Sequence, residues 1–97
     1  MAAYIVATVT ITDPDRFGDY VKAIAGLSEK HGGEYILRGK VAEVLEGDVN
    51  AEERVVVSRF PSAEAARAYA KSPEYLAGAA LRAGAGTVET RLLVDAA

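Results

Sequence analysis

The chain has 97 residues, 51% of them hydrophobic and 26% charged, and its 11 Lys and Arg against 14 Asp and Glu leave a net charge of −3. That length fills one domain, residues 1–97, and the apolar content is too high for a chain kept unfolded by charge repulsion. The lack of cysteine excludes disulfides, zinc–thiolate sites, iron–sulfur clusters and thiol catalysis, and the scatter of both charge signs argues against nucleic acid, which needs clustered cations.

No stretch approaches the roughly 20 apolar residues of a membrane span, and Met1-Ala2-Ala3-Tyr4 lacks the positive segment of a signal peptide, so a cytoplasmic protein without membrane partners is expected. A domain of this size buries only roughly 60–65% of the surface its unfolded chain exposes, which makes self-association a way of burying more.

Ala3 to Thr12 is rich in β-branched residues and reads as a strand, with Ile5, Ala7, Val9 and Ile11 on one face and Tyr4, Val6, Thr8 and Thr10 on the other. Asp13-Pro14 is a helix start, since Asp accepts from an unpaired N–H and proline at the first position gives up no bond. Phe17, Tyr20, Val21, Ile24 and Leu27 then recur at three and four, and Lys30-His31-Gly32-Gly33 ends the helix.

Glu34 to Arg38 alternates with Tyr35 and Leu37 on one side, Gly39-Lys40 interrupts, and Val41 to Glu46 resumes, a pattern that suggests one long strand bent by a bulge, the favoured reading, or a short hairpin. Gly47 to Asn50 supplies a turn and Glu53 to Phe60 a third strand. Ser62 caps a helix carrying Ala65, Ala66, Tyr69 and Ala70, and Ser72-Pro73-Glu74 breaks it and starts another through Tyr75, Leu76, Ala79 and Leu81. After Gly84-Ala85-Gly86, Thr87 to Val94 alternates as a fourth strand.

This order of elements specifies an α+β, ferredoxin-like split βαβ fold, a four-stranded antiparallel sheet with its helices on one face. The bare face, expected to carry Val6, Val56 or Leu93, would be buried by stacking two sheets in a homodimer.

The segments Gly32-Gly33, Arg38-Gly39, Leu45-Glu46-Gly47, Arg54-Val55-Val56, Phe60-Pro61-Ser62, Ala65-Ala66, Ser72-Pro73-Glu74-Tyr75 and Arg82 together resemble the family called domain of unknown function 1330, nearly end to end. The resemblance implies a dimeric α/β barrel of ferredoxin-like subunits and a site, without a common reaction. The chain departs from the family pattern at Glu34, Lys40, Val49 and Ala68-Tyr69-Ala70, changes that bear on the shape and charge of a pocket more than on the fold.

Arg38, Glu46 and Arg54 interrupt apolar runs on what read as adjoining strands. A buried guanidinium requires an anionic partner, so these residues form an internal ion pair or a dimer contact, or else a site in which Arg38 holds an anion while Glu46 moves a proton. Tyr75 and Arg82, seven apart, share a helix face and with Arg54 would shape the substrate site, unless the alanine-rich helix simply packs closely. Tyr4, Tyr20 and Tyr35 read as core or cavity lining, and His31, the single histidine, as a group complementing a helix end. No metal or nucleotide motif is present, and no cofactor is expected.

The reading that follows is a homodimeric, cofactor-independent enzyme performing isomerase-, cyclase- or lyase-like acid–base chemistry on a small carbonyl or carboxylate compound. Barrel-forming isomerases, cyclases and cofactor-free oxygenases supply the analogy. The alternatives are a non-catalytic module that binds a small ligand or dimerises, and an accessory subunit of a biosynthetic complex.

Overall fold

A computed structural model describes residues 1–95. In chain order it contains β1 (Ala3–Ile11), α1 (Pro14–Ala23), α2 (Leu27–Lys30), β2 (Glu34–Lys40), β3 (Arg54–Phe60), α3 (Ala63–Ala70), α4 (Pro73–Ala80) and β4 (Gly86–Val94). The strands form one antiparallel sheet in the order β2-β3-β1-β4, which confirms the ferredoxin-like expectation. A thickness of 16 Å against lateral extents of 34 and 32 Å leaves room for the sheet and one helical layer, so the other face of the sheet has no helix over it.

The helices begin where local chemistry places them. Asp13 Oδ1 accepts from Arg16 N at 3.2 Å with Pro14 at the first position of α1. Ser62 Oγ accepts from Ala65 N and Ser72 Oγ from Tyr75 N, each at 3.1 Å, at the heads of α3 and α4. The first helix is shorter than its apolar spacing suggests, because Gly26 at φ +76° turns the backbone out of the helix, and Leu27 opens the separate α2. α4 lies close against α1 because Gly78 has no side chain: a Cβ there would stand 2.8 Å from Ile24 Cγ2.

Two apolar clusters fill the space under the helices. One joins Ile5, Leu27, Phe60, Ala66 and Tyr69, the other Val9, Phe17, Tyr20, Ile24 and Ala85, and Tyr75 packs against both.

The second strand departs from expectation. It stops at Lys40 instead of running to Glu46, and its irregularity falls at Ile36 rather than at Gly39-Lys40: Tyr35 pairs with Ser58 but Leu37 with Val57, so one extra residue is inserted. The bulge sends Tyr35 and Leu37 to opposite faces, where simple alternation had put them together. Beyond Lys40 one ladder-like bond, Val41 N to Glu53 O at 3.0 Å, is made before the chain leaves the sheet. Residues 41–53 contain five carboxylates and no cation, a composition that favours solvent over pairing. Val56 also moves: it lies on the helix-covered face, while Val6, Val55, Val57, Leu37 and Leu93 share the uncovered one.

Candidate functional site

The helix-facing side of the sheet can be read as rows across the strands. Lys40, Arg54, Val9 and Val88 form one row, Arg38, Val56, Ala7 and Thr90 the next, and Tyr35, Ser58, Ile5 and Leu92 a third. The β2–β3 side of this floor is therefore cationic and the β1–β4 side largely apolar. The bulge at Ile36 is what turns Arg38 and Lys40 inward, as the two are in step with Arg54 and Val56 only after the extra residue.

Above this floor, Tyr20 of α1, Tyr69 of α3, Tyr75 of α4 and Arg82 just beyond α4 complete a cavity of about 870 Å³. Tyr20 and Tyr75 share a hydrogen bond between their hydroxyls at 3.0 Å, and Arg82 Nη1 donates to Tyr75 Oη at 3.2 Å. The Arg82 guanidinium lies 4.5 Å from the Tyr20 ring centroid, and that of Arg38 lies 4.0 Å from the ring of Tyr35, both within cation–π range. Burial, aided by the bond to Tyr75, pushes the Tyr20 hydroxyl well above the usual phenol range, and burial with the neighbouring Tyr35 and Tyr75 does the same for Tyr69. Both stay protonated at neutral pH.

Four cations, Arg38, Lys40, Arg54 and Arg82, line the cavity against a single carboxylate, Glu29. Lys40 is paired with Glu52 at 3.3 Å, whereas the three arginines have no carboxylate within ion-pair distance among the described residues. In a chain whose overall charge is negative, this concentrates positive potential in one concavity.

Of the five expected site residues, the structure brings Arg38, Arg54, Tyr75 and Arg82 together and leaves Glu46 apart. Glu46 lies in the exposed 41–53 segment rather than on a strand beside the arginines, and it does not line the cavity. Tyr20 and Tyr35 line it as expected, whereas Tyr4 points to the uncovered face. His31 follows α2 as its cap, with its ring 6.1 Å from that of Tyr69. Glu29 is a cavity residue that sequence reasoning did not single out, whereas Lys40 and Tyr69, marked in the sequence as departures from the family pattern bearing on a pocket, line it as well. No cluster of three His, Asp or Glu able to hold a metal occurs among the described residues, and no described helix is long and apolar enough to cross a membrane.

Comparison with known proteins gives a consistent fold. SnoaB, a cofactor-independent oxygenase from Streptomyces nogalater, is similar over 99% of this chain and 94% of its own, at 16% identity and a TM-score of 0.66. A dimeric ferredoxin-like protein of unknown function from Jannaschia sp. CCS1 is similar over 98% and 100%, at 15% identity and a TM-score of 0.74. A second dimeric ferredoxin-like protein of unknown function, from Thermobifida fusca YX, is similar over 98% and 92%, at 19% identity and a TM-score of 0.65. No curated protein matches the chain. The family model described as domain of unknown function (DUF1330) matches residues 2–96, and with the segment matches and the ferredoxin-like sheet in view, the chain belongs to that family.

Proposed function

We propose that the protein is a homodimeric enzyme that performs acid–base chemistry, without a cofactor, on a small anionic carbonyl compound bound between the sheet and the helices. The observation that carries this reading is the meeting, in one cavity, of a pair of hydrogen-bonded tyrosines and three arginines that have no carboxylate in ion-pair distance among the described residues. A substrate carboxylate would sit against Arg38 and Arg54, whose planar forks suit it, with its apolar body along Val9, Val56 and Val88. Its carbonyl oxygen would then reach Tyr75.

Tyr75 takes the proton-handling role that Glu46, outside the cavity lining, does not fill. Its oxygen accepts from Arg82 and can accept from Tyr20, which leaves its own proton to donate to a carbonyl or enolate oxygen, while the proton leaving the neighbouring carbon would pass to Glu29, the one carboxylate of the lining among the described residues, or to water in the cavity. Arg82 offers positive charge to any negative charge that develops there. The description of SnoaB as a cofactor-independent oxygenase supports chemistry without a cofactor on this fold, and two neighbours described as dimeric support the homodimer. The uncovered sheet face supports it independently, because Leu37 and Leu93 on it are 52% and 46% exposed, an apolar surface that stacking would bury.

The test is proton exchange. Purified protein is incubated in D₂O with a panel of small keto acids and β-dicarbonyl acids, and deuterium incorporation next to the carbonyl is followed by NMR. The expected result is faster incorporation for at least one member, lost in Tyr75→Phe. Binding of an acid with no exchange above the buffer rate for any member would instead support the alternative of a ligand-binding module, which one observation favours: among the described residues the lining holds no histidine and a single carboxylate.

A further inference from the structure

A second, smaller cleft of about 370 Å³ opens between α3 and the edge strand β4, separated from the main cavity by Ile5, Ala70 and Thr90, which line both. Its lining includes apolar Ala70 and Leu92 together with Arg67 and Lys71, and at its β4 edge a third cation, Arg91, which pairs with Val6 and so alternates toward the uncovered face. Arg67 and Lys71 stand one helical turn apart, where like charges repel. None of the three has a carboxylate within ion-pair distance among the described residues.

The opposite edge of the sheet is β2, and from it extends the acidic 41–53 arm. Glu52 is held by Lys40, but Glu43, Glu46 and Asp48 in the outer part of the arm form no ion pair among the described residues. Between them stands Leu45, 87% exposed, with Val44 and Val49 also exposed. The base of the arm is fastened toward the uncovered face of the sheet: Asn50 Nδ2 donates to Thr10 Oγ1 at 3.3 Å, and Thr10 alternates with the residues of β1 that face the cavity.

These features fit one another across two copies. A two-fold axis parallel to the strands and between two stacked faces reverses the strand order β2-β3-β1-β4, so β2 of one protomer lies opposite β4 of the other. The arm leaves the sheet at the row of Lys40 and Val88, two to four residues along β4 from Thr90 and Leu92, or roughly 7–13 Å along the strand with about 10 Å more between the stacked sheets. A loop of this length spans that distance.

We propose that the 41–53 arm of each protomer seats in the α3–β4 cleft of the other, with Leu45 on Ala70 and Leu92 and with Glu43, Glu46 and Asp48 against Arg67, Lys71 and Arg91. The assignment rests on the homodimer of the preceding reading and adds to it an exchanged arm beside the wall of each cavity.

Because the native chain has no cysteine, Glu46→Cys and Lys71→Cys can be made separately, mixed to exchange subunits and treated with a short bis-maleimide. The expected result is a covalent dimer in the mixture well above the level given by either variant alone. Light scattering of the unmodified protein is run in parallel. A dimer in solution whose mixture does not cross-link above the single variants overturns the arm placement and leaves the homodimer standing; a monomer overturns both.

A second arm of the experiment replaces Glu43, Glu46 and Asp48 together by Lys. Their side chains are exposed, so circular dichroism should show an unchanged fold. The dimer dissociation constant should rise at least about tenfold, and mixing with the Arg67→Glu, Lys71→Glu, Arg91→Glu protein should recover association. An unchanged dissociation constant overturns the proposal.

Discussion

Arg82 lies across the face of Tyr20, its guanidinium carbon 4.5 Å from the ring centroid, and from that position it donates through Nη1 to Tyr75 Oη at 3.2 Å. One planar group thus stacks on a ring from α1 and bonds to a hydroxyl from α4. A lysine ammonium is a point charge on a flexible stem and cannot do both. Arg82→Lys should lower the unfolding free energy by about 1 kcal/mol, measured by urea denaturation. It should also reduce the proton-exchange rate about tenfold or more while binding of the acid changes little, because the charge remains but its aim at Tyr75 is lost.

Tyr20 and Tyr69 predict how stability follows pH. Both hydroxyls are held protonated in the fold, chiefly by burial, whereas in the unfolded chain each ionises near about pH 10. Above that pH the native state binds more protons than the unfolded state, so stability falls as pH rises. Thermal unfolding should show little contribution from these groups below about pH 9 and a declining Tm above about pH 10. Tyr20→Phe should make that alkaline decline shallower.

Arg38 and Arg54 sit diagonally on neighbouring strands, through the pairs Arg38 with Val56 and Lys40 with Arg54. If they share a substrate carboxylate, Arg38→Gln and Arg54→Gln should each weaken binding of a small keto acid about tenfold or more, the scale of a charged hydrogen bond lost. Titration calorimetry at two salt concentrations checks this: the affinity of the unmodified protein should drop more steeply with salt than that of either variant.

Gly78 gives a packing prediction. A methyl group there meets Ile24 Cγ2 at 2.8 Å and Ala23 Cβ at 3.4 Å, so Gly78→Ala should push α4 away from α1 even though alanine is the better helix former. The cost is about 1–3 kcal/mol for overpacking, read by denaturant unfolding. Because Tyr20 and Tyr75 come from those two helices, ligand affinity should fall as well.

Ser72 joins α3 to α4. Its hydroxyl donates to Tyr69 O at 2.8 Å and accepts from Tyr75 N at 3.1 Å, and it is buried. Ser72→Ala should cost about 1–2 kcal/mol through the lost cap and one of the two bonds that Tyr69 O accepts, the backbone N–H of residue 72 remaining on it. Ser72→Thr should retain much of that stability, since the hydroxyl is kept. Chemical denaturation of the three proteins side by side provides the check.

The sequence by itself determined the order of the strands and main helices, the caps at Asp13, Ser62 and Ser72, and the ferredoxin-like sheet, because these follow from short-range spacing and turn chemistry, though not the break at Gly26 that sets α2 apart. It also marked Arg38, Arg54, Tyr75 and Arg82, since charged or polar groups inside apolar patterns stand out along a chain. Tertiary structure alone decided where the second strand ended and which way its side chains faced. A bulge at Ile36 shifts register by one residue, and with a side-chain period of two that one residue turns Arg38 and Lys40 inward and Leu37 outward. Pairing with β3 chose that register, and no local pattern within Glu34–Lys40 does so. For the same reason Glu46 left the site: the ladder closed at Lys40, and the acidic residues beyond it had no strand to join. The bond between Tyr20 and Tyr75 lay further still from what the sequence can express, because it spans 55 positions and depends on the close approach of α1 and α4 that Gly78 permits.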